Sequence, residues 1–192
     1  MMARTLKIIV VILLAVAVTL GCLARGGTTM DNFSEDAYEA AMERLTGSEA
    51  GIDAGIEAFR TGFGDLAHEN LRERIANLYA EDLYFNDTIH TFTERQNLVD
   101  YMGRTGDSLD ESIVDVKQVM RDGSDVFVRW SMDFKVRAAG RNIRSQSIGV
   151  THLRFNEQGQ VILHQDFWDS GHALYAKLPI VGFFVRRAHG QM

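Results

Sequence analysis

Val126-Phe127-Val128-Arg129-Trp130-Ser131-Met132-Asp133-Phe134-Lys135-Val136 is the stretch that decides the fold. Val126, Val128, Trp130, Met132, Phe134 and Val136 alternate with Phe127, Arg129, Ser131, Asp133 and Lys135. A period of two places the first set on one face of a strand and the second on the other. One face is chiefly apolar and the other chiefly polar, as in a sheet covered on one side only.

Outward from it the pattern stays strand-like. Asp122-Gly123-Ser124 is a hairpin signal that joins it to Ser112–Arg121 on its N-terminal side. Ala138-Ala139-Gly140-Arg141 turns the chain into Asn142–Phe155, and Asn156-Glu157-Gln158-Gly159 leads into Gln160–Trp168. Upstream the period lengthens. Ile52, Ile56, Phe59 and Phe63 fall on one helical stripe, and Leu71, Ile75, Leu78 and Tyr79 on another. A short strand pair is expected around Leu83–Asp87 and His90–Phe92. Thr93 and Gln96 have capping-box spacing ahead of a helix through Leu98, Tyr101 and Met102. Helices followed by a meander of long strands predict an α+β domain, a curved antiparallel sheet wrapped over N-terminal helices. Such a sheet leaves a conical hollow, the natural place for a ligand.

The N-terminus reads differently. Arg4 and Lys7 precede an apolar run from Ile8 to Leu20, which is short for a bilayer span and ends at Gly21-Cys22. Thr19-Leu20-Gly21-Cys22 resembles a bacterial lipobox, which implies lipidation at Cys22; Thr19 stands where that motif carries a branched aliphatic residue. The other reading is an uncleaved anchor. Either way the positive end stays in the cytoplasm, and the domain is expected in the cell envelope, extracytoplasmic and membrane-anchored. The expected organisation is a signal peptide or anchor at 1–22, a tether and short helix at 23–47, and one domain at 48–192.

Apolar residues make up 46% of the chain, enough for a real core. Beyond Cys22, 18 basic residues face 26 acidic ones, a surface that repels phosphate backbones, so no nucleic-acid partner is expected. Cys22 is the single cysteine, which excludes an intrachain disulfide and a multi-cysteine metal site. No phosphate-cradling glycine loop, nucleophile elbow or zinc-protease motif occurs, and no cofactor is expected.

Several phrases carry a family resemblance. They are Leu78-Tyr79-Ala80-Glu81-Asp82 with Phe85-Asn86-Asp87, Trp130-Ser131-Met132, Gly149–Phe155 with Gly159, His164–Asp169, and Leu178-Pro179-Ile180-Val181-Gly182. Together, over roughly Ser48 to Arg187, they resemble the SnoaL-like branch of the nuclear transport factor two-like superfamily. The resemblance implies a cone-shaped domain similar in shape to ketosteroid isomerase, polyketide cyclases, limonene epoxide hydrolase and scytalone dehydratase. It equally covers noncatalytic binding and dimerising domains, so the fold does not choose the chemistry.

His164, Asp166 and Trp168 share one strand face. A carboxylate beside an indole in an apolar hollow has its charged form disfavoured, which suits it to proton transfer. Polyketide cyclases of this fold, as the resemblance implies, use an aspartate in the cone as acid/base. Asp166 is therefore the first catalytic candidate, with His164 as its proton partner; the bland alternative pairs Asp166 with Arg129 or Arg154. Trp168 and Trp130 are expected as pocket wall or core, and Asp169 as a helix cap. Tyr84, Asp87 and His90 lie near the first strand pair, a region that the resemblance implies is by the mouth or wall of the cone, although Asn86-Asp87-Thr88 has ordinary turn composition and the turn reading is preferred. Tyr101 is a ligand donor or a satisfied core residue. His152 is a ligand-binding candidate; a His152–His164–Asp166 metal set has no spacing motif behind it, and no metal is expected. Ile180–Arg187, apolar and then basic, is expected to pack on the domain.

The leading functional expectation is a membrane-tethered domain that binds a small hydrophobic molecule in its cone. Its rivals are an isomerase, cyclase or hydratase using Asp166, and a homodimer formed through the outer sheet face around Phe127.

Overall fold

A computed structural model describes residues 35–138, 141–177 and 181–190. The signal or anchor segment, the lipidation candidate Cys22 and the tether up to Ser34 lie outside the described residues. Among those described, no helix is long and apolar enough to cross a membrane.

The described residues begin with helix α1 (Glu35–Arg44), a 3₁₀ turn (Glu49–Gly51), α2 (Ile52–Phe63) and α3 (Leu71–Leu78). Strands β1 (Tyr79–Asn86) and β2 (Thr91–Glu94) precede α4 (Arg95–Asp107). The long strands are β3 (Leu109–Asp122), β4 (Asp125–Ala138), β5 (Arg141–Phe155) and β6 (Val161–Trp168). A one-turn helix α5 (Ser170–Ala173), a 3₁₀ turn (Tyr175–Lys177) and α6 (Val181–His189) close it.

The six strands form one curved sheet in the order β2-β1-β6-β5-β4-β3. The antiparallel expectation needs one correction: β1 pairs with β6 in parallel, while the other pairings are antiparallel. β1–β2 and the successive pairs from β3 to β6 are hairpins, whereas β2 and β3 form opposite edges of the sheet and are joined through α4, and this crossover brings β6 beside β1 in the same direction. Gly123 (φ 56°) and Gly159 (φ 79°) take the left-handed conformations that the two turns require. The capping box does not form: Thr93 lies in β2, and Glu94 precedes α4 without a side-chain cap bond. Asp169 does cap α5, its Oδ1 accepting from the His172 amide at 2.8 Å.

The apolar stripe of α2 (Ile52, Ile56, Phe59, Phe63) packs with Leu71, Ile75 and Leu78 of α3 and Leu98 of α4 against the inner sheet face. Each such side chain, fully buried, contributes about 1.5–3 kcal/mol. Gly55 permits a close approach of α2 to the sheet, since a Cβ there would sit 2.2 Å from the Phe155 ring.

The outer face has its own small core. Ala41 of α1 and Leu45 just beyond it pack with Tyr84 and Leu163, flanked by Tyr38, Met42 and Ile162. Arg154 anchors the C-terminal end of α1, donating to the carbonyls of Met42 (2.5 Å) and Leu45 (3.0 Å) while its Nε bonds Asp125 Oδ1 (2.5 Å). A cation suits the carbonyl end of a helix dipole. Asp125 also accepts from His152 Nε2 (2.6 Å), and Tyr38 donates its hydroxyl proton to His152 Nδ1 (2.5 Å). Phe127 stacks on the same imidazole at 4.6 Å. The C-terminal expectation is corrected as well: Phe183 and Phe184 of α6 are 57% and 64% exposed rather than packed.

Burial pushes the His152 pKa down, with Asp125 opposing and Arg154 adding to the fall. The folded state therefore holds fewer protons here than the unfolded chain once pH drops below the ordinary histidine range. This contribution to stability is complete above about pH 6.5 and is lost as pH falls toward the lowered folded value. The thermal midpoint is accordingly expected to decline between about pH 7 and about pH 5, with a shallower decline in His152→Gln. Melting curves across that range check it, and identical slopes in both proteins would contradict it.

Candidate ligand cavity

Between α2, α4 and the inner sheet face lies a cavity of about 220 Å³. Its walls are chiefly apolar and aromatic, with Phe59, Phe63, Phe85, Tyr101, Trp130 and Trp168 among them. The two-residue period of β6 directs His164, Asp166 and Trp168 into it. Trp130 on β4 faces Gly149 on β5, where a Cβ would come within 2.4 Å of the indole; glycine leaves the ring its place.

From there a hydrogen-bonded chain runs across three strands. Trp130 Nε1 donates to Thr151 Oγ1 at 2.8 Å, and the Thr151 hydroxyl donates to Asp166 Oδ1 at 2.5 Å. Thr151 and Asp166 are direct cross-strand partners, which sets the reach. His164 Nε2 lies 3.0 Å from the same Oδ1, and Tyr79 Oη lies 2.7 Å from His164 Nδ1. Burial first, then the charges of Asp166 and Asp87, push the Tyr79 hydroxyl well above its ordinary pKa, so it keeps its proton and donates to Nδ1. That assigns the Nε2–H tautomer to His164, which donates to Asp166. Both of these bonds fall on Oδ1, and Asp166 is one of the residues that line the cavity. The Asp166 side chain is 14% exposed.

A second carboxylate lies at the β1–β2 turn. Asp87 Oδ1 accepts from the amides of Ile89 (2.9 Å) and His90 (2.8 Å), and its Oδ2 from the Tyr101 hydroxyl (2.5 Å). Thr88 takes φ 72° within this turn, a strained conformation for a β-branched residue. Trp168 Nε1 donates to the Asp87 carbonyl at 2.8 Å, tying the end of β6 to the turn. Burial, the Asp87 charge and its hydrogen bond all push the Tyr101 pKa up, so Tyr101 too remains a donor.

The structure brings six of the candidates together at this cavity: Asp166, His164, Trp168, Trp130, Tyr101 and Asp87. Two do not join them. Tyr84 points to the outer face, its hydroxyl on Gln165 Oε1 at 3.0 Å beneath α1, because Leu83 and Phe85 on either side of it face the main core. His152 follows the inward Thr151 and so turns outward to Tyr38 and Asp125. The same parity separates His152 from His164 and Asp166, so that metal grouping does not form, and the described residues hold no cluster of three metal-ligating side chains. The arginine alternative for Asp166 does not form either: Arg154 pairs with Asp125, and Arg129 reaches Gln118. Asp87 is both turn and cavity wall, one oxygen for each. Thr151 and Tyr79 were missed by sequence reasoning, since nothing before strand register shows Thr151 opposite Asp166 or Tyr79 beneath His164.

Comparison with known proteins places this geometry in context. The family model described as SnoaL-like domain matches residues 68–164, just over half of the 192-residue chain. A protein of ketosteroid isomerase-like fold from Catenulispora acidiphila DSM 44928, solved with trimethylamine, is 18% identical. It superposes with a TM-score of 0.55 over 67% of this chain and 95% of its own. A candidate SnoaL-like polyketide cyclase from Shewanella putrefaciens CN-32 is 17% identical, with a TM-score of 0.55 over 65% and 95%. An LEH-like epoxide hydrolase from M. tuberculosis is 15% identical, with a TM-score of 0.53 over 72% and 98%. At these identities the likeness is one of fold. No curated protein matches the chain.

Proposed function

Since this chain belongs to the SnoaL-like domain family, we propose that its cone takes up one small, largely apolar molecule. The observation that carries this reading is the 220 Å³ cavity, lined mainly by aromatic and aliphatic side chains with a few polar groups among them. That combination is the usual form of a small-molecule site. The cavity is small by the standard of drug-sized ligands, which favours a compact, single-ring compound. Trp130 and Trp168 are the chain's two tryptophans and both line the cavity, so ligand entry is expected to change their fluorescence. Titration with compact aromatic and alicyclic compounds is expected to give a saturable change. Linear, unsaturable responses across such a set would sink the reading.

A second reading, proton-transfer catalysis of the isomerase, cyclase or hydratase kind, is favoured by the placement of Asp166. Its Oδ1 is fixed by Thr151 and His164, no arginine neutralises it among the described residues, and the residue lines the cavity. A carboxylate so held is positioned to take a proton from a bound molecule and return it to another atom. Should a turnover be found, Asp166→Asn is expected to lower kcat by about 10²-fold or more at an unchanged thermal midpoint. Full activity in that variant would remove Asp166 from the chemistry.

We also propose that the domain is held at the outer surface of a membrane through lipid on Cys22, on the strength of Gly21-Cys22 closing the apolar run. Expressed in a bacterium fed labelled palmitate, the full chain is expected to take up label, and Cys22→Ala to take up none. Equal labelling of the two would refute lipidation at this site.

A further inference from the structure

We propose that the molecule held in the cone is an organic ammonium ion, bound with its charge toward Asp87 and Asp166 and its hydrocarbon part among the aromatic walls. The proposal rests on the small-molecule reading above and names the chemical class of the ligand.

The hydrogen-bonding inventory of the cavity carries it. Each polar side-chain donor that lines the wall is already committed to the protein. The two indole N–H groups go to Thr151 and to the Asp87 carbonyl. The Thr151 hydroxyl goes to Asp166, and the Tyr101 hydroxyl to Asp87. The Ser108 hydroxyl donates to the Thr105 carbonyl at 2.7 Å, and the Thr105 side chain bonds the Tyr101 oxygen. Both His164 nitrogens are engaged, by Tyr79 and Asp166. What is left over is acceptor capacity on carboxylate oxygens. A ligand that offers only acceptors, such as a ketone or a carboxylate, finds no partner here, whereas an N–H donor does.

Charge narrows the class further. Asp87 and Asp166 both line the cavity, and no lysine or arginine does so among the described residues. Carboxylates drawn from water without a cation are costly, and a ligand that brings the positive charge removes that cost. With their N–H groups tied back into the protein, Trp130 and Trp168 keep their π surfaces for a cation, which indole binds best of the aromatic rings. An alcohol of the same shape would satisfy the hydrogen bond but not the charge.

Four compounds of one size separate these contributions: benzylamine (protonated at neutral pH), benzyl alcohol, benzoate and toluene. Tryptophan fluorescence of the purified protein follows each titration. Benzylamine is expected to bind about tenfold or more tighter than benzyl alcohol, with benzoate the weakest. Asp87→Asn and Asp166→Asn each keep the amide oxygen that accepts the turn or threonine hydrogen bond, and each is expected to erase most of that preference. Benzyl alcohol or toluene binding as tightly as benzylamine would overturn the ammonium inference while leaving the small-molecule reading standing. Retention of the full preference in both variants would overturn it too. Absence of saturable binding by all four would take down both the inference and the reading beneath it.

Discussion

Strand β6 is the element on which the rest of the structure depends, because its pleat serves two cores at once. His164, Asp166 and Trp168 face the cone, while Leu163 and Gln165 face α1 on the other side. A one-residue slip would exchange the two sets, sending a histidine and an aspartate beneath an apolar helix and a leucine into the polar end of the cavity. Pairing on both edges fixes the register, with β5 antiparallel on one side and β1 parallel on the other. The parallel β1–β6 contact also joins the β1–β2 hairpin to the four long strands, so the same strand connects the two parts of the sheet and supplies side chains to the cavity wall.

Polar groups inside the cone are arranged as a consequence of that register. Thr151 stands opposite Asp166, Trp130 stands opposite Gly149, and the indole can reach the threonine because glycine leaves the space. Buried donors left unpaired would each cost about 1–3 kcal/mol, and the chain from Trp130 through Thr151 to Asp166 avoids this for the indole N–H and the threonine hydroxyl together. His164 and Tyr79 complete it from beneath, so one oxygen of Asp166 is held from two sides. The rigidity is of the kind a binding or proton-transfer group needs, since a side chain free to swing away would lose its alignment with a ligand.

The outer face follows another logic. Arg154, Asp125, His152 and Tyr38 form a connected polar set whose members lie on α1, β4 and β5, and it seats α1 over the strands that line the cavity from the other side. Burial by α1 withdraws the imidazole from water and Asp125 compensates it. Phe127, which the sequence leaves among polar neighbours, finds its stacking partner in that imidazole.

How much of this was legible beforehand depends on the range of the interaction concerned. Alternation from Val126 to Val136 and the stripe Ile52, Ile56, Phe59 and Phe63 determined the α+β class, because a two-residue or 3.6-residue period is a local property of the backbone. The same alternation correctly joined His164, Asp166 and Trp168. It could not say which face a strand turns to the cavity, and so Tyr84 and His152 were placed with the cone when they belong to the outer core. Nor could it give the parallel closure of β1 on β6, or bring Thr151 and Tyr79 to Asp166 and His164. Those facts are cross-strand facts. They depend on register between residues 15 to 85 positions apart in the chain, which is fixed only when both faces of β6 are buried at once.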